Sequence, residues 1–331
     1  MPSAAPTDPT NQAGQWAGDE EQCMATVGIY GSGCVGRATG KALQAVGHIC
    51  IYTDTRAGTL AELQGQGLDA RPIEAMASAG TEASMICVPT PAEGAGMDFA
   101  FVEDAAWSVG RALARSDAYH VVALRSTVPP GTLRGRVLPL LERASVRRVG
   151  RDIGLCACPE FLREASAEQD ALYPWMVVIG AHDRRAGEVM ERIYAPLAGR
   201  TGCPVVVTDL ETAEYAKCVS NAFNAVKITF FNQMAELAER TGASAAVVGE
   251  IVAGSAEGMW NPRYGIRAGA PFGGTCLPKD ARALSALAYE HDADLSLLQA
   301  ALRYNDALGE RQEAESATAP PVGPDARVRV G

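Results

Sequence analysis

Cys276 follows the Gly273-Gly274 pair and Thr275, and precedes Lys279 and Asp280. That combination suits a covalent nucleophile. Paired glycines open backbone conformations that let a substrate approach the sulfur. A nearby lysine favours the thiolate, which is the reactive form. An aspartate one helical turn on can hold a water or a second polar group. The competing reading is a small thiol buried in a Gly-rich turn. A second cluster is Gly31-Ser32-Gly33-Cys34-Val35-Gly36, with Asp54 placed 23 positions after the first glycine. This spacing fits a dinucleotide: Gly31 for the tight turn, Gly33 for approach of the pyrophosphate, Gly36 for helix–strand packing, and Asp54 for the ribose hydroxyls. Asp54 would repel a 2′-phosphate and favour NAD over NADP, an inference that Arg56 softens. Lys217 and Asn221 are four apart among small residues, hence on one face of a helix, although a lysine there is also compatible with a snorkelling surface residue. Glu160 and Glu164 share a face if their segment is helical, and otherwise read as a solvated acidic edge. Thr127 lies just past a strand, where open α/β sheets bind ligands, or simply caps a turn.

The elements around these residues alternate. Strands are expected at about 24–30, 49–53, 84–88, 120–124, 154–157, 177–180 and 205–208, with amphipathic helices between several of them. The fold class is therefore α/β, an N-terminal doubly wound Rossmann-type domain over 24–208. A long helix capped by Thr208 or Asp209 and stopped before Gly242 changes the pattern. It opens an all-helical central domain over 209–312 that carries Lys217, Asn221 and Cys276. Residues 1–23 read as a disordered leader and 313–331 as a disordered tail, both poor in apolar residues.

Composition excludes several classes. The chain has 331 residues, 47% of them hydrophobic and 21% charged, as expected of a globular protein with room for two domains. A net charge of −10 argues against nucleic acid or an anionic membrane surface as partner. No apolar run is long enough for a transmembrane helix. Nine dispersed cysteines fit reduced cytoplasmic thiols better than a disulfide framework, and the four scattered histidines form no metal cluster, so no metal is expected.

Six motifs in this order resemble the UDP-glucose/GDP-mannose dehydrogenase family: Gly31-Ser32-Gly33-Cys34-Val35-Gly36, Val88-Pro89-Thr90-Pro91, Ser126-Thr127-Val128-Pro129, Pro159-Glu160-Phe161-Leu162-Arg163-Glu164, Lys217 with Asn221, and Gly273-Gly274-Thr275-Cys276-Leu277-Pro278-Lys279-Asp280. They span about residues 24–310. The resemblance implies an NAD-dependent oxidoreductase of nucleotide-sugar metabolism and polysaccharide biosynthesis. Such enzymes oxidise the C6 hydroxymethyl of a sugar nucleotide to a carboxylate with two NAD⁺. It implies Cys276 as nucleophile, Lys217 and Asn221 as stabilisers of the alkoxide or oxyanion, Glu160 as base for the hydrolytic water, and Asp280 with Thr127 to position that water. It further implies Gly31, Gly33, Cys34, Val35, Gly36, Asp54, Thr90, Pro91, Thr127 and Glu164 at the cofactor. Phe161, Leu162, Arg263, Tyr264, Phe272, Gly273 and Lys279 are implied at the substrate. A homodimer built on the long helix is implied too, since that helix is apolar on several faces, including Phe223, Phe230 and Phe231.

The chain departs from the family in three places. Cys158-Pro159-Glu160 stands where many members have Asn-Pro-Glu. Trp260-Asn261-Pro262-Arg263-Tyr264 looks more like the GDP-mannose branch. The sequence also ends before the second Rossmann-like domain that grips the substrate nucleotide in the family. From that ending come two alternatives: the same chemistry on a smaller glycoside or nucleoside, or a catalytically impaired NAD-binding paralogue. A two-electron dehydrogenase of the hydroxy-acid type shares the Rossmann domain and an active-site lysine, but it needs no Gly-Gly-Thr-Cys nucleophile.

Overall fold

The computed structural model describes residues 24–94, 96–266 and 268–318. The leader expected over 1–23 and the tail beyond 318 lie outside the described residues. The chain divides into two units between Ser220 and Asn221, inside a helix, rather than at the strand-to-helix junction near 208.

The first unit is a seven-stranded sheet. Its strands are β1 (Thr26–Tyr30), β2 (Ile49–Thr53), β3 (Ala83–Ile86), β6 (His120–Leu124), β7 (Ile153–Ala157), β8 (Val177–Ala181) and β9 (Val205–Asp209), and a separate hairpin is formed by β4 (Ala92–Glu93) and β5 (Gly96–Met97). The spatial order is β2-β1-β3-β6-β7-β8-β9; all neighbours are parallel except β7 and β8. Helices α1 (Cys34–Gln44), α2 (Ala57–Gly65), α3 (Ala100–Leu113), α4 (Leu138–Ser145), α5 (Ala167–Leu172) and α6 (Arg184–Thr201) connect the strands.

Strand alternation splits the apolar residues between two cores. Val27, Ile29, Met85, Val121, Ala123 and Ile179 face one, shared with α1 and α6. Tyr30, Ile86, Val122, Leu124, Leu155 and Val178 face the other, shared with α3 and α4. Strands buried on both faces read as nearly continuous apolar runs, which is why they were legible. The parallel register then decides what comes next. Tyr30 pairs with Thr53 and Ile86, and Leu124 with Ile86 and Ala157. One residue further on, Asp54, Gly31, Cys87, Arg125 and Cys158 follow in sequence, so register sets them in a row across the carboxyl rim of the sheet.

Helix α7 (Leu210–Thr241) leaves β9 and crosses the unit boundary. The Asp209 carboxylate accepts the Thr212 amide at 2.8 Å, capping its start, and Gly242 at φ 75° lies just past its end. Leu210 and Ala213 of its first turns join the second core.

The second unit contains the rest of α7 with α8 (Ala245–Ser255), α9 (Glu257–Trp260), α10 (Leu277–Glu290) and α11 (Ser296–Thr318). Leu237, Ala288 and Leu295 form its small core. Helix α11 continues to Thr318, past the limit of order expected at 312. Among the described residues no helix is long and apolar enough to cross a membrane, and no group of three or more His, Cys, Asp or Glu residues is placed to hold a metal ion.

Candidate active site

The dinucleotide corner is built as the glycine spacing requires. Gly31 has φ 90°, and a Cβ there would lie 2.8 Å from the Cys87 carbonyl oxygen and the Val88 side chain. A Cβ on Gly36 would overlap the Gly31 carbonyl at 2.0 Å, so only glycine lets α1 pack against the turn. At Gly33 an added Cβ meets nothing within 4 Å, which leaves that side of the loop open to a ligand. Gly33 is also the N-cap of α1 and has no side chain to occupy the first-turn amides.

Asp54 lies against this loop. Its carboxylate accepts the Ser32 amide at 3.0 Å, the Arg56 amide at 3.0 Å and Arg56 Nε at 3.2 Å. Burial opposes its ionisation, but these bonds outweigh burial and hold the carboxyl below its usual range. Arg56 fills both lone pairs of Oδ1, and Oδ2, with the Ser32 amide alone, keeps one for a ribose hydroxyl. The open loop, the uncapped helix and the ionised Asp54 together fit an adenine dinucleotide.

Further along the rim, two loops are tied together. Thr90 Oγ1 donates to the Thr127 carbonyl at 2.9 Å, and Ser126 Oγ donates to the Val88 carbonyl at 2.6 Å. Beside them Lys217 Nζ lies 3.3 Å from Glu160 Oε1, with side chains only 7% and 14% exposed. The snorkelling alternative for Lys217 is thereby excluded. Its ammonium also stands 5.3 Å from the centre of the Phe161 ring. Lys217, Ser126, Thr127, Pro159 and Glu214 line one cleft.

Glu160 and Glu164 do not share a helical face. Residues 158–163 form neither helix nor strand, and a short 3₁₀ turn starts only at Glu164, which is exposed. Two local bonds explain the correction. Glu160 Oε2 accepts the Leu162 amide, and Asp170 takes both the amide and the guanidinium of Arg163, at 2.8 and 2.7 Å. The segment is thus held open by side chains instead of by a helical ladder.

Two buried charges escaped the sequence reading. Glu214 is 3% exposed and accepts the amides of Gly131 at 2.6 Å and Leu133 at 2.8 Å. Burial pushes its carboxyl up against the pull of those amides. It sits three residues before Lys217, so a second polar residue on that helical stripe was the available signal. Arg125 is 9% exposed, between the apolar run that ends at Leu124 and the polar Ser126-Thr127 pair, a position that reads as a strand end.

In the second unit, Cys276 is exposed and is the N-cap of α10; its carbonyl accepts the Asp280 amide at 2.9 Å. The buried-thiol alternative does not hold. Gly274, at φ 79°, turns the chain into that position, and Thr275 Oγ1 lies 3.7 Å from the sulfur. Helix α10 starts at Leu277 with Pro278 in its first turn, three residues earlier than expected, so the cysteine stands at the positive end of the helix dipole. Lys279 pairs with Asp280, and both side chains are mostly exposed. Asn305 of α11 clamps Phe272 through its amide at 2.7 Å and its carbonyl at 3.0 Å. Arg263 and Tyr264 lie in the exposed loop before this segment. Asn221 is the first residue of the second unit, on α7 four residues after Lys217.

The candidate residues therefore form two groups. Asp54 and the glycine loop, Thr127, Glu160 and Lys217 belong to the first unit; Asn221, Cys276, Lys279 and Asp280 belong to the second.

Comparison with known proteins draws the line earlier, between residues 198 and 211, and so groups Lys217 with Asn221 and Cys276. Residues 25–198 match the NAD binding domain of the UDP-glucose/GDP-mannose dehydrogenase family, and residues 211–307 match its central domain. GDP-mannose 6-dehydrogenase from Pseudomonas syringae pv. tomato is 33% identical over 84% of this chain and 67% of its own length. UDP-glucose 6-dehydrogenase from Haloferax volcanii is 36% identical over 86% of this chain and 70% of its own. Among solved structures, the ternary complex of GDP-mannose dehydrogenase from Pseudomonas aeruginosa superposes with a TM-score of 0.80 at 30% identity, covering 88% of this chain and 71% of that one.

Proposed function

The chain belongs to the UDP-glucose/GDP-mannose dehydrogenase family, and we propose that it oxidises the C6 hydroxymethyl of a nucleotide sugar of the GDP-mannose or UDP-glucose type to the carboxylate. It is an NAD-dependent dehydrogenase. The observation that carries the proposal is the buried Lys217–Glu160 pair at the sheet rim, in the same unit as a loop that fits the dinucleotide. A cation and a carboxylate held together in a largely water-excluded position can stabilise a developing oxyanion and take a proton in one site.

The overall balance is RCH₂OH + 2 NAD⁺ + H₂O giving RCOO⁻ + 2 NADH + 3 H⁺. When bound, NAD⁺ accepts a hydride from the substrate carbon, once for each oxidation. Lys217 and Asn221 stabilise the alkoxide as the alcohol loses its proton. The Cys276 thiolate adds to the aldehyde carbon and forms a C–S bond, giving a thiohemiacetal. Loss of the second hydride leaves a thioester on Cys276. Glu160 takes a proton from the water that attacks this thioester, with Thr127 and Asp280 positioning that water. Collapse of the tetrahedral oxyanion breaks the C–S bond and returns the thiolate. Cys34, Val35, Gly36, Thr90, Pro91 and Glu164 complete the cofactor side. Phe161, Leu162, Arg263, Tyr264, Phe272, Gly273 and Lys279 contact the substrate. The test is NADH formation with GDP-mannose and UDP-glucose; no NADH and no acid with either would refute the proposal.

Cofactor choice follows from Asp54. A 2′-phosphate would face an ionised carboxylate whose neighbour Arg56 is already bonded to it. We expect kcat/KM for NAD⁺ to exceed that for NADP⁺ by about tenfold or more. Comparable values would mean that Arg56 governs the site.

The assembly is proposed to be a homodimer. Phe223, Val226 and Ile228 of α7 and Ile251 of α8 are each at least 50% exposed, a concentration of apolar surface that favours burial against a second copy. Light scattering at micromolar concentration should give twice the chain mass; a monomer would contradict it.

A further inference from the structure

Arg125 stands in the rim row between Cys87 and Cys158, on the face of the sheet that carries α6. Its Nη1 donates to the Cys158 carbonyl at 3.1 Å and to the Tyr194 hydroxyl at 2.9 Å, while its buried Nε has no partner. Among the described residues no carboxylate lies within salt-bridge distance of it. A buried guanidinium without a carboxylate is costly to desolvate. A more economical core residue would be Met or Leu, so the charge asks for a role.

The cavity beneath it supplies one. Arg125, Pro159, Glu160, Asp170 and Tyr194 line the same cavity. Lys217 and Pro159 line the other cleft. Glu160 thus has Lys217 of α7 at 3.3 Å and shares a second cavity with Arg125 at the end of β6.

The remaining groups around it do not compete. Asp170 on α5 is taken up by Arg163 and Ser166. Burial raises the Tyr194 phenol on α6, and pushes the Cys87 thiol at the end of β3 up to about 12, so both are neutral. Glu214 on α7 is bonded to the Gly131 and Leu133 amides. Burial works against the charge on Arg125, but a guanidinium does not give up its proton in a protein, so it stays charged.

We propose that Arg125 is a positioning residue for Glu160: through the Cys158 carbonyl it fastens the turn that carries Glu160, and across the shared cavity it leaves a permanent positive charge beside that turn when Lys217 turns to the substrate oxygen. The catalytic half of this statement rests on the reading of Glu160 as the base. The two are separable by experiment. Arg125→Gln removes the charge and retains a donor for the Cys158 carbonyl; Arg125→Met removes both; Arg125→Lys retains charge; Tyr194→Phe removes only the hydroxyl. The Glu160 carboxyl is titrated by infrared difference spectroscopy against Glu160→Gln in each background. The acid limb of kcat for NADH formation is measured in parallel, with melting curves at each pH.

Arg125→Gln and Arg125→Met should raise the carboxyl midpoint by about one pH unit. The acid limb should move with it, giving about tenfold loss on the acid side and little loss on the alkaline side. Arg125→Lys should restore both, and Tyr194→Phe should leave the midpoint in place. An unchanged carboxyl midpoint in Arg125→Gln, or an equal loss of kcat at every pH, overturns the proposal. Should Arg125→Met not fold, Arg125→Gln decides alone. A shifted midpoint with an unshifted acid limb keeps the hold of Arg125 on Glu160 and overturns the base assignment to Glu160.

Discussion

Cys276→Ala is expected to abolish formation of the carboxylate, by at least about a thousandfold, with NAD⁺ binding unchanged. The thiol is exposed at the N-cap of α10, and no other side chain in its segment can form a C–S bond to an aldehyde carbon. Without that bond the aldehyde has no covalent tether for the second oxidation. The dinucleotide loop, by contrast, belongs to the first unit and does not involve Cys276. Product analysis by mass spectrometry, with NAD⁺ affinity by fluorescence titration, separates the two effects. Acid formation by Cys276→Ala near the wild-type rate would exclude a thioester route and favour a two-electron dehydrogenase.

Lys217→Met should lower kcat by about a hundred- to a thousandfold with a smaller change in KM, because the lost interaction is strongest when the oxygen is charged. The substitution also strands Glu160, whose side chain is 14% exposed and whose cation partner lies at 3.3 Å. Breaking one half of such a pair destabilises by about 3–5 kcal/mol, so a fall in kcat alone is ambiguous. Pairing Lys217→Met with Glu160→Gln removes both charges. The double variant should regain much of the melting temperature and none of the activity. Recovery of activity together with stability would mean that Lys217 acts only as a structural counter-ion.

The parts of the site legible in the sequence are those where a residue type answers a steric or chemical demand alone. Gly31 and Gly36 could be placed because a Cβ at either would strike the backbone of the turn or its neighbouring loop. Cys276 could be placed because a thiol after two glycines has few structural uses. A shared face for Glu160 and Glu164 depends on a helical period that the chain does not follow. The conformation of Glu160 is set by the Leu162 amide and by the grip of Asp170 on Arg163, and neither has a periodic signature. Arg125 and Glu214 were harder still. Tyr194 and Gly131, their partners, lie 69 and 83 residues away in sequence, and only the sheet register and the path of α7 bring them together. The division of the chain inside α7 was likewise hidden, since a continuous 32-residue helix carries no local mark where one unit gives way to the next.

The central claim is a four-electron oxidation through Cys276, and the yield of NADH per molecule of acid tests it most directly. With GDP-mannose or UDP-glucose limiting and NAD⁺ in excess, NADH is read by absorbance and the uronate by mass. Two NADH per carboxylate, with no accumulated aldehyde, is the expected result. One NADH per substrate with an aldehyde or ketone product would contradict it.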